Sequence, residues 1–410
     1  MSDRVRSLHI ATTQGYAGTL VKDGQHVFTY DIDTIDPERA ERSISLSMPV
    51  RAASWKTTPM LPVFQTFLPE GFLKDYIRER FAKTLRVDDM ALLALSGANA
   101  IGRIRVALHK PRETLEPQTT TESLAEILAD QGTRDLFEYL CDKYLISTAI
   151  AGVQPKVVLS LTPESSASDS KGSIGERATL RGRQWIVKVD SADYPDLAEN
   201  EYHCLSIAAQ CPSLLTVPEF HLSADRRRLA IERFDIGADG RYLGFEDMVA
   251  LQGRVNDDKY EGSYESVAAT IRDNGTPLLL AESLRRYFAA VVFAVAVKNG
   301  DAHLKNFGLL YSDPSTDDCR LSPLFDQVAT TYYLPRDTLA LRLAKSKSFP
   351  TRPVLENFGR VHCAVSRPEL VIDEIVAAVA GYRPQIDGPV WHRLRTIFEQ
   401  SSAQLDRRLG

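Results

Sequence analysis

Five polar or ionisable side chains crowd into eight positions of the stretch Asn299-Gly300-Asp301-Ala302-His303-Leu304-Lys305-Asn306-Phe307, namely Asn299, Asp301, His303, Lys305 and Asn306. Asp301 and Asn306 are five apart, and Asp326 follows beyond two short β-type runs at residues 307–311 and 319–324. Phosphoryl transfer uses such a set. One Asp orients the attacking hydroxyl, an Asn five residues later and a second Asp past a hairpin hold Mg²⁺, and oxygen ligands suit that hard cation. Each of these residues taken singly is equally well read as a turn cap. The ordered set is not.

The elements that must position them are legible around the motif. Leu284, Tyr287, Phe288, Val291, Val292 and Val295 recur at i, i+3, i+4, i+7, i+8 and i+11, which predicts a buried helix ending near Asn299. Upstream, the run Gln184-Trp185-Ile186-Val187-Lys188-Val189 reads as a strand with one Lys among β-branched neighbours; such an ammonium must reach solvent or an anion. On the helix that follows, Glu201 shares the apolar stripe of Leu197, Cys204, Leu205 and Ala208, so an inward carboxylate stands thirteen residues after an inward Lys. Glu201 is the expected ion-pair partner of Lys188, with Glu199 as the alternative. The segment Ile146-Ser147-Thr148-Ala149-Ile150-Ala151-Gly152-Val153-Gln154-Pro155-Lys156 enters a strand at residues 157–161, and its small-residue turn can bring backbone N–H groups to phosphates. It is not a P-loop, because GxxxxGK[ST] does not occur there. A hairpin at residues 217–222 and 229–234 is expected to carry Arg226, Arg227 and Arg228 at a solvated tip.

Composition bounds the rest. At 410 residues, 44% hydrophobic and 25% charged, the chain is that of a globular protein with two or three cores. A net charge of −5 supplies no global field for non-specific DNA binding. The five cysteines show no CxxC pairing and read as reduced, and no run is long enough to span a membrane, so the chain is expected to be cytoplasmic. Residues 1–109 form a first unit with β-type runs at 7–11, 18–21, 27–30, 43–47 and 101–108 and helical patterns at 72–82 and 88–95; 110–122 is a Pro- and Thr-rich linker, 123–235 a β-rich lobe, and 236–410 a helical lobe.

The residues Ala151-Gly152-Val153-Gln154-Pro155-Lys156, Asn200-Glu201, Ile231-Glu232-Arg233-Phe234-Asp235, Glu246-Asp247-Met248, the NxDxHxKNF pattern from Asn299 to Phe307, and Ser322-Pro323-Leu324-Phe325-Asp326 together resemble the HipA family of serine/threonine kinase toxins. Phe67-Leu68-Pro69-Glu70-Gly71 extends the likeness to the amino-terminal subdomain. The resemblance implies an α+β, two-lobed protein-kinase-like fold with an added amino-terminal α/β subdomain. It also implies a toxin of a bacterial type II toxin–antitoxin module that uses ATP and Mg²⁺. Its protein substrate would be an aminoacyl-tRNA synthetase, commonly glutamyl-tRNA synthetase. Its partner would be a HipB-like helix-turn-helix antitoxin, through which operator DNA is contacted. Carried over by position, Asp301 would be the catalytic base or hydroxyl-orienting residue, with His303 and Lys305 supporting its loop; Asn306 and Asp326 would hold the metal. Gly152, Val153, Gln154, Lys156, Lys188, Glu232 and Phe234 would contact ATP. Ala149 stands where the family's autophosphorylated serine often lies, which leaves Ser147 and Thr148 as the candidate acceptors.

Two other classes share parts of this pattern. A small-molecule kinase of the aminoglycoside or choline type has the same Asp/Asn/Asp logic but lacks an amino-terminal domain with the Leu68-Pro69-Glu70-Gly71 stretch. A non-catalytic partner of a repressor would have lost at least one of Asp301, Asn306, Asp326 and Lys188.

Overall fold

The structure, a computed structural model, describes residues 4–33, 35, 40–81, 87–97, 100–110, 124–129, 156–160, 184–190 and 193–406. The chain divides into two compact units: Met1–Val189 with Phe220–Glu246 and Tyr311–Thr316, and Asp190–Glu219 with Asp247–Leu310 and Asp317–Gly410.

In the first unit, β1 (Ser7–Thr12), β2 (Gly15–Asp23), β3 (Gln25–Tyr30), β4 (Trp55–Thr57) and β5 (Arg105–Ala107) form an antiparallel sheet in the order β4-β3-β2-β1-β5. Alternation dictates its buried face: Leu8 and Ile10 on β1, Leu20 on β2 and Phe28 on β3 join Phe64 and Met90 in one core. Each such side chain contributes about 1.5–3 kcal/mol on burial. Helices Gly71–Phe81 and Asp89–Ser96 follow, the second capped by Asp88, whose carboxylate accepts the Ala91 N–H at 3.1 Å.

The strand expected at residues 43–47 does not form; only an isolated bridge, Ser45 to Met48, occurs there. Its polar groups serve a buried carboxylate instead of a ladder, since Ser45 Oγ and the Leu46 N–H donate to Glu246 at 2.5 and 2.8 Å. The strand expected over 101–108 shortens to β5 for a similar reason, because the Gly102 N–H donates to Asp235 at 2.6 Å.

A second antiparallel sheet of this unit has the order β6-β7-β9-β8, from β6 (Lys156–Ser160), β7 (Gln184–Val189), β8 (Phe220–Leu222) and β9 (Arg228–Glu232). Its register sets Lys156 opposite Lys188, and Lys188 opposite Leu229 on the other side. The arginine triplet departs from the expectation of a solvated tip. Arg227 is exposed, but Arg228 is buried and pairs with Asp225 at 2.6 Å, because it already belongs to β9.

The second unit is mostly helical, built from Leu197–Ala208, Tyr264–Asn274, Pro277–Ala296, Arg352–His362, Pro368–Gly381 and Pro389–Leu405. The long helix Pro277–Ala296 is its axis, with Leu284, Tyr287, Phe288, Val291, Val292 and Val295 all buried, as the periodicity predicts. Trp391, Leu394 and Phe398 are core and Ile397 is half-buried. Among the described residues, no helix is long and apolar enough to cross a membrane, and Cys204, Cys211, Cys319 and Cys363 are buried.

Candidate active site

The expected catalytic loop begins where the long helix ends, and the ending has a local cause. Lys298 adopts a left-handed conformation at φ 56°, the Asn299 N–H donates to the Ala294 carbonyl at 2.8 Å, and the Lys298 N–H donates to Val295 at 3.2 Å. This is a Schellman closure built on a residue other than Gly, at a backbone cost of roughly 1–2 kcal/mol. It turns the chain out of the core one residue before the motif.

Beyond it, nearly every motif residue is tied down. Asn299 accepts the Asp301 N–H at 2.9 Å and donates to Gln327 at 3.3 Å. Gly300 donates its N–H to Thr330 at 2.7 Å, and a Cβ there would stand 2.1 Å from Asp337 Oδ2 and 2.5 Å from the Thr338 carbonyl, so only Gly fits. Lys305 Nζ donates to Asn256 Oδ1 at 3.2 Å. Phe307 packs edge-on against Tyr287, with centroids 5.2 Å apart, and its carbonyl accepts the Met248 N–H at 3.0 Å. The next strand, β10 (Gly308–Tyr311), pairs with β11 (Arg320–Leu321) through Leu309–Leu321 and Leu310–Arg320, and this short hairpin returns the chain to Asp326.

The hairpin brings the distant members of the set together. Asn306 Nδ2 donates to Asp326 Oδ2 at 3.1 Å, while Asn306 Oδ1 accepts the His303 N–H at 3.2 Å. Asp326 has φ 57°, a left-handed conformation that a non-Gly residue holds only where its surroundings enforce it. Asp301 Oδ1 accepts from the Tyr260 hydroxyl at 2.8 Å. The outer face of Asp301 is open to solvent, yet its carboxyl is packed closely enough that poor hydration pushes its pKa up to about 6; the Tyr260 hydrogen bond and Lys259 pull it down, and Asp326 and Asp337 push it further up.

This donor set fits a divalent cation. Asp301 and Asp326 add negative charge to one place, and Asn306 and Asp326 offer oxygens of the kind Mg²⁺ takes. Among the described residues there is no cluster of three or more His, Cys, Asp or Glu able to hold a metal.

The other expected residues are placed on their own elements. Lys188 is buried on β7 in the first unit, and Glu201 is buried on the helix Leu197–Ala208 in the second. Glu232 closes β9; Phe234 stacks edge-on against Phe245, with centroids 5.3 Å apart. Arg233 and Asp235 form a buried bidentate pair at 2.9 and 2.6 Å that also engages Gln184 and the Ala100 carbonyl. Lys156 begins β6, whereas Ser147, Thr148, Gly152, Val153 and Gln154 lie outside the described residues. Tyr260, Gln327, Thr330 and Asp337 were not singled out from the sequence. No local pattern marks them, because each meets its loop partner from 28 or more positions away.

Comparison with known proteins fixes the class. A family model for the HipA N-terminal domain matches residues 8–107, and one for the HipA-like C-terminal domain matches residues 148–382. The chain belongs to the HipA family, and its fold is the mixed α+β, kinase-like fold of that family. It is 28% identical over 387 residues to "Putative kinase Y4dM" of Sinorhizobium fredii (strain NBRC 101917 / NGR234), spanning 89% of this chain and 87% of that one. To "Putative kinase Y4mE" of the same organism it is 27% identical over 359 residues, spanning 83% and 81%. A solved complex from Shewanella oneidensis MR-1, described as a toxin–antitoxin system of HipA, HipB and operator DNA, shares the fold with a TM-score of 0.63 at 19% identity, covering 97% of this chain and 96% of that one.

Proposed function

We propose that this chain is an ATP-dependent serine/threonine protein kinase acting as the toxin of a toxin–antitoxin module. The observation that carries the reading is the convergence of Asp301, Asn306 and Asp326 in one unit, with Asn306 hydrogen-bonded to Asp326 and with Asp301 exposed beside them. Bound Mg-ATP supplies the γ-phosphoryl group and the divalent charge that offsets the phosphates. Asp301 orients the acceptor hydroxyl and takes its proton; with a pKa of about 6 it is mostly ionised at neutral pH and gives that proton back to water readily. Asn306 and Asp326 would hold the metal through oxygen atoms. The turns at Asn299 and Gly300 and the Lys305–Asn256 contact keep the loop from rearranging, so the site works by positioning and electrostatics. Lys156, Lys188, Glu232 and Phe234, with Gly152, Val153 and Gln154, are the proposed nucleotide contacts.

The proposed acceptor is a serine of an aminoacyl-tRNA synthetase, with glutamyl-tRNA synthetase first in line. The proposed neutralising partner is a HipB-like helix-turn-helix protein that carries the operator contact; the chain's net charge of −5 agrees with DNA binding through a partner. Incubation with Mg-ATP and a panel of purified synthetases, beside Asp326→Ala, tests this by intact mass. One added phosphate on a synthetase, seen only with the wild-type chain, is the expected result. No phosphate on any protein despite ATP binding would refute it.

A further inference from the structure

Tyr260 closes the short 3-10 helix Asn256–Tyr260, far upstream of the motif, yet its hydroxyl donates to Asp301 Oδ1 at 2.8 Å. It does not act alone. Asn256 accepts from Lys305 at 3.2 Å, the Tyr260 ring stands edge-on to the His303 imidazole with centroids 5.1 Å apart, and Tyr264 Oη donates to the Ala302 carbonyl at 3.1 Å. Residues 256–264 thus grip Asp301, Ala302, His303 and Lys305 from one side.

The consequence falls on the two oxygens of Asp301. Oδ1 is engaged by Tyr260, and among the described residues no group donates to Oδ2. A phenol-to-carboxylate bond is charge-assisted and strong enough to fix the rotation of the carboxyl group. Tyr260 is itself 39% exposed, so its hydroxyl adds little to the core; what it does is local orientation.

Resting on the reading of Asp301 as the base, we propose that Tyr260 is a positioning residue: its hydroxyl holds Asp301 Oδ1 and thereby presents Oδ2 to the acceptor hydroxyl. The test uses the full chain with Mg-ATP, reading phosphate on the synthetase panel and ADP release in parallel, for wild type, Tyr260→Phe, Tyr260→Ala and Asp301→Asn. Tyr260→Phe keeps the ring against His303 and removes only the donor. Its kcat is expected to fall about tenfold, the scale of one lost charge-assisted hydrogen bond. KM for ATP should stay within about twofold and the melting temperature should not move, a split that a purely structural role would not give. Tyr260→Ala should fall further. If Asp301→Asn abolishes transfer while Tyr260→Phe matches or exceeds wild-type kcat, or loses only ATP affinity, the Tyr260 assignment is wrong and the kinase reading stands. If Asp301→Asn keeps wild-type turnover, or the wild-type chain turns over no ATP, the kinase reading fails and the assignment with it.

Discussion

Asp235 and Asp301 are both aspartates held by hydrogen bonds, and they are set up in opposite ways. Asp235 is buried, accepts two bonds from Arg233 and a third from the Gly102 N–H, and so has its charge matched on both oxygens. Asp301 has an open outer face, has one oxygen bonded to Tyr260, and sits where poor hydration of its carboxyl and neighbouring acids raise its pKa to about 6. The first is satisfied and ties the Glu232-Arg233-Phe234-Asp235 segment to the amino-terminal part of its unit. The second has, among the described residues, a donor on one oxygen alone. A carboxylate that the fold does not satisfy is one that can take a proton from something else.

The comparison can be broken at its strongest point first. Asp301→Asn should lower phosphoryl transfer by about 10²–10⁴-fold, the usual worth of a positioned base, without loss of stability; a rate assay paired with a melting curve decides it. Asp235→Ala should do the reverse, costing about 3–5 kcal/mol because it strands the Arg233 guanidinium in the interior, to be read from the denaturant midpoint. If both variants lose activity and stability alike, the distinction between the two aspartates is empty. Gly300→Ala should fall between them: with Asp337 and the Thr338 carbonyl already where a Cβ would go, the loop must shift, at about 1–3 kcal/mol and roughly a hundredfold in rate.

The smallest effect is the pH dependence. Asp301 moves from 3.8 to about 6 on folding, so its protonated form is the one the native state favours. Its stabilising contribution is complete below about pH 3.8 and is lost as pH rises through about 6. Asp301→Asn should therefore be less stable than or equal to wild type at pH 4 and relatively more stable at pH 8. Discounted for its open face, the change between them is on the order of 1 kcal/mol, measurable by melting across pH. Activity should show an acid limb near pH 6, absent from any residual activity of the variant.

Much of this was legible in the residues, for reasons of range. The long helix announced itself because its apolar positions recur within one element, and the five-residue spacing of Asp301 and Asn306 because one short loop carries both. Burial of Glu201 followed from its helical stripe in the same way. The structure departs from those expectations where a segment's polar groups found partners that its own pattern did not announce. Residues 43–47 read as a strand until Glu246 took the Ser45 hydroxyl and the Leu46 N–H, and Arg228 read as solvated until β9 and Asp225 buried it.

The sequence by itself determined which residues stand in the loop, how the helix before it is built, and that an Asp follows a hairpin later, since all of these are set by local periodicity and spacing. Only the tertiary structure decided how that loop is held. Tyr260, Gln327, Thr330 and Asp337 reach it from separate segments, and the partial satisfaction of Asp301 is a sum over those contacts. Side chains brought within hydrogen-bonding distance by folding leave no period and no fixed spacing in the chain, so their joint effect on one carboxylate exists only in three dimensions.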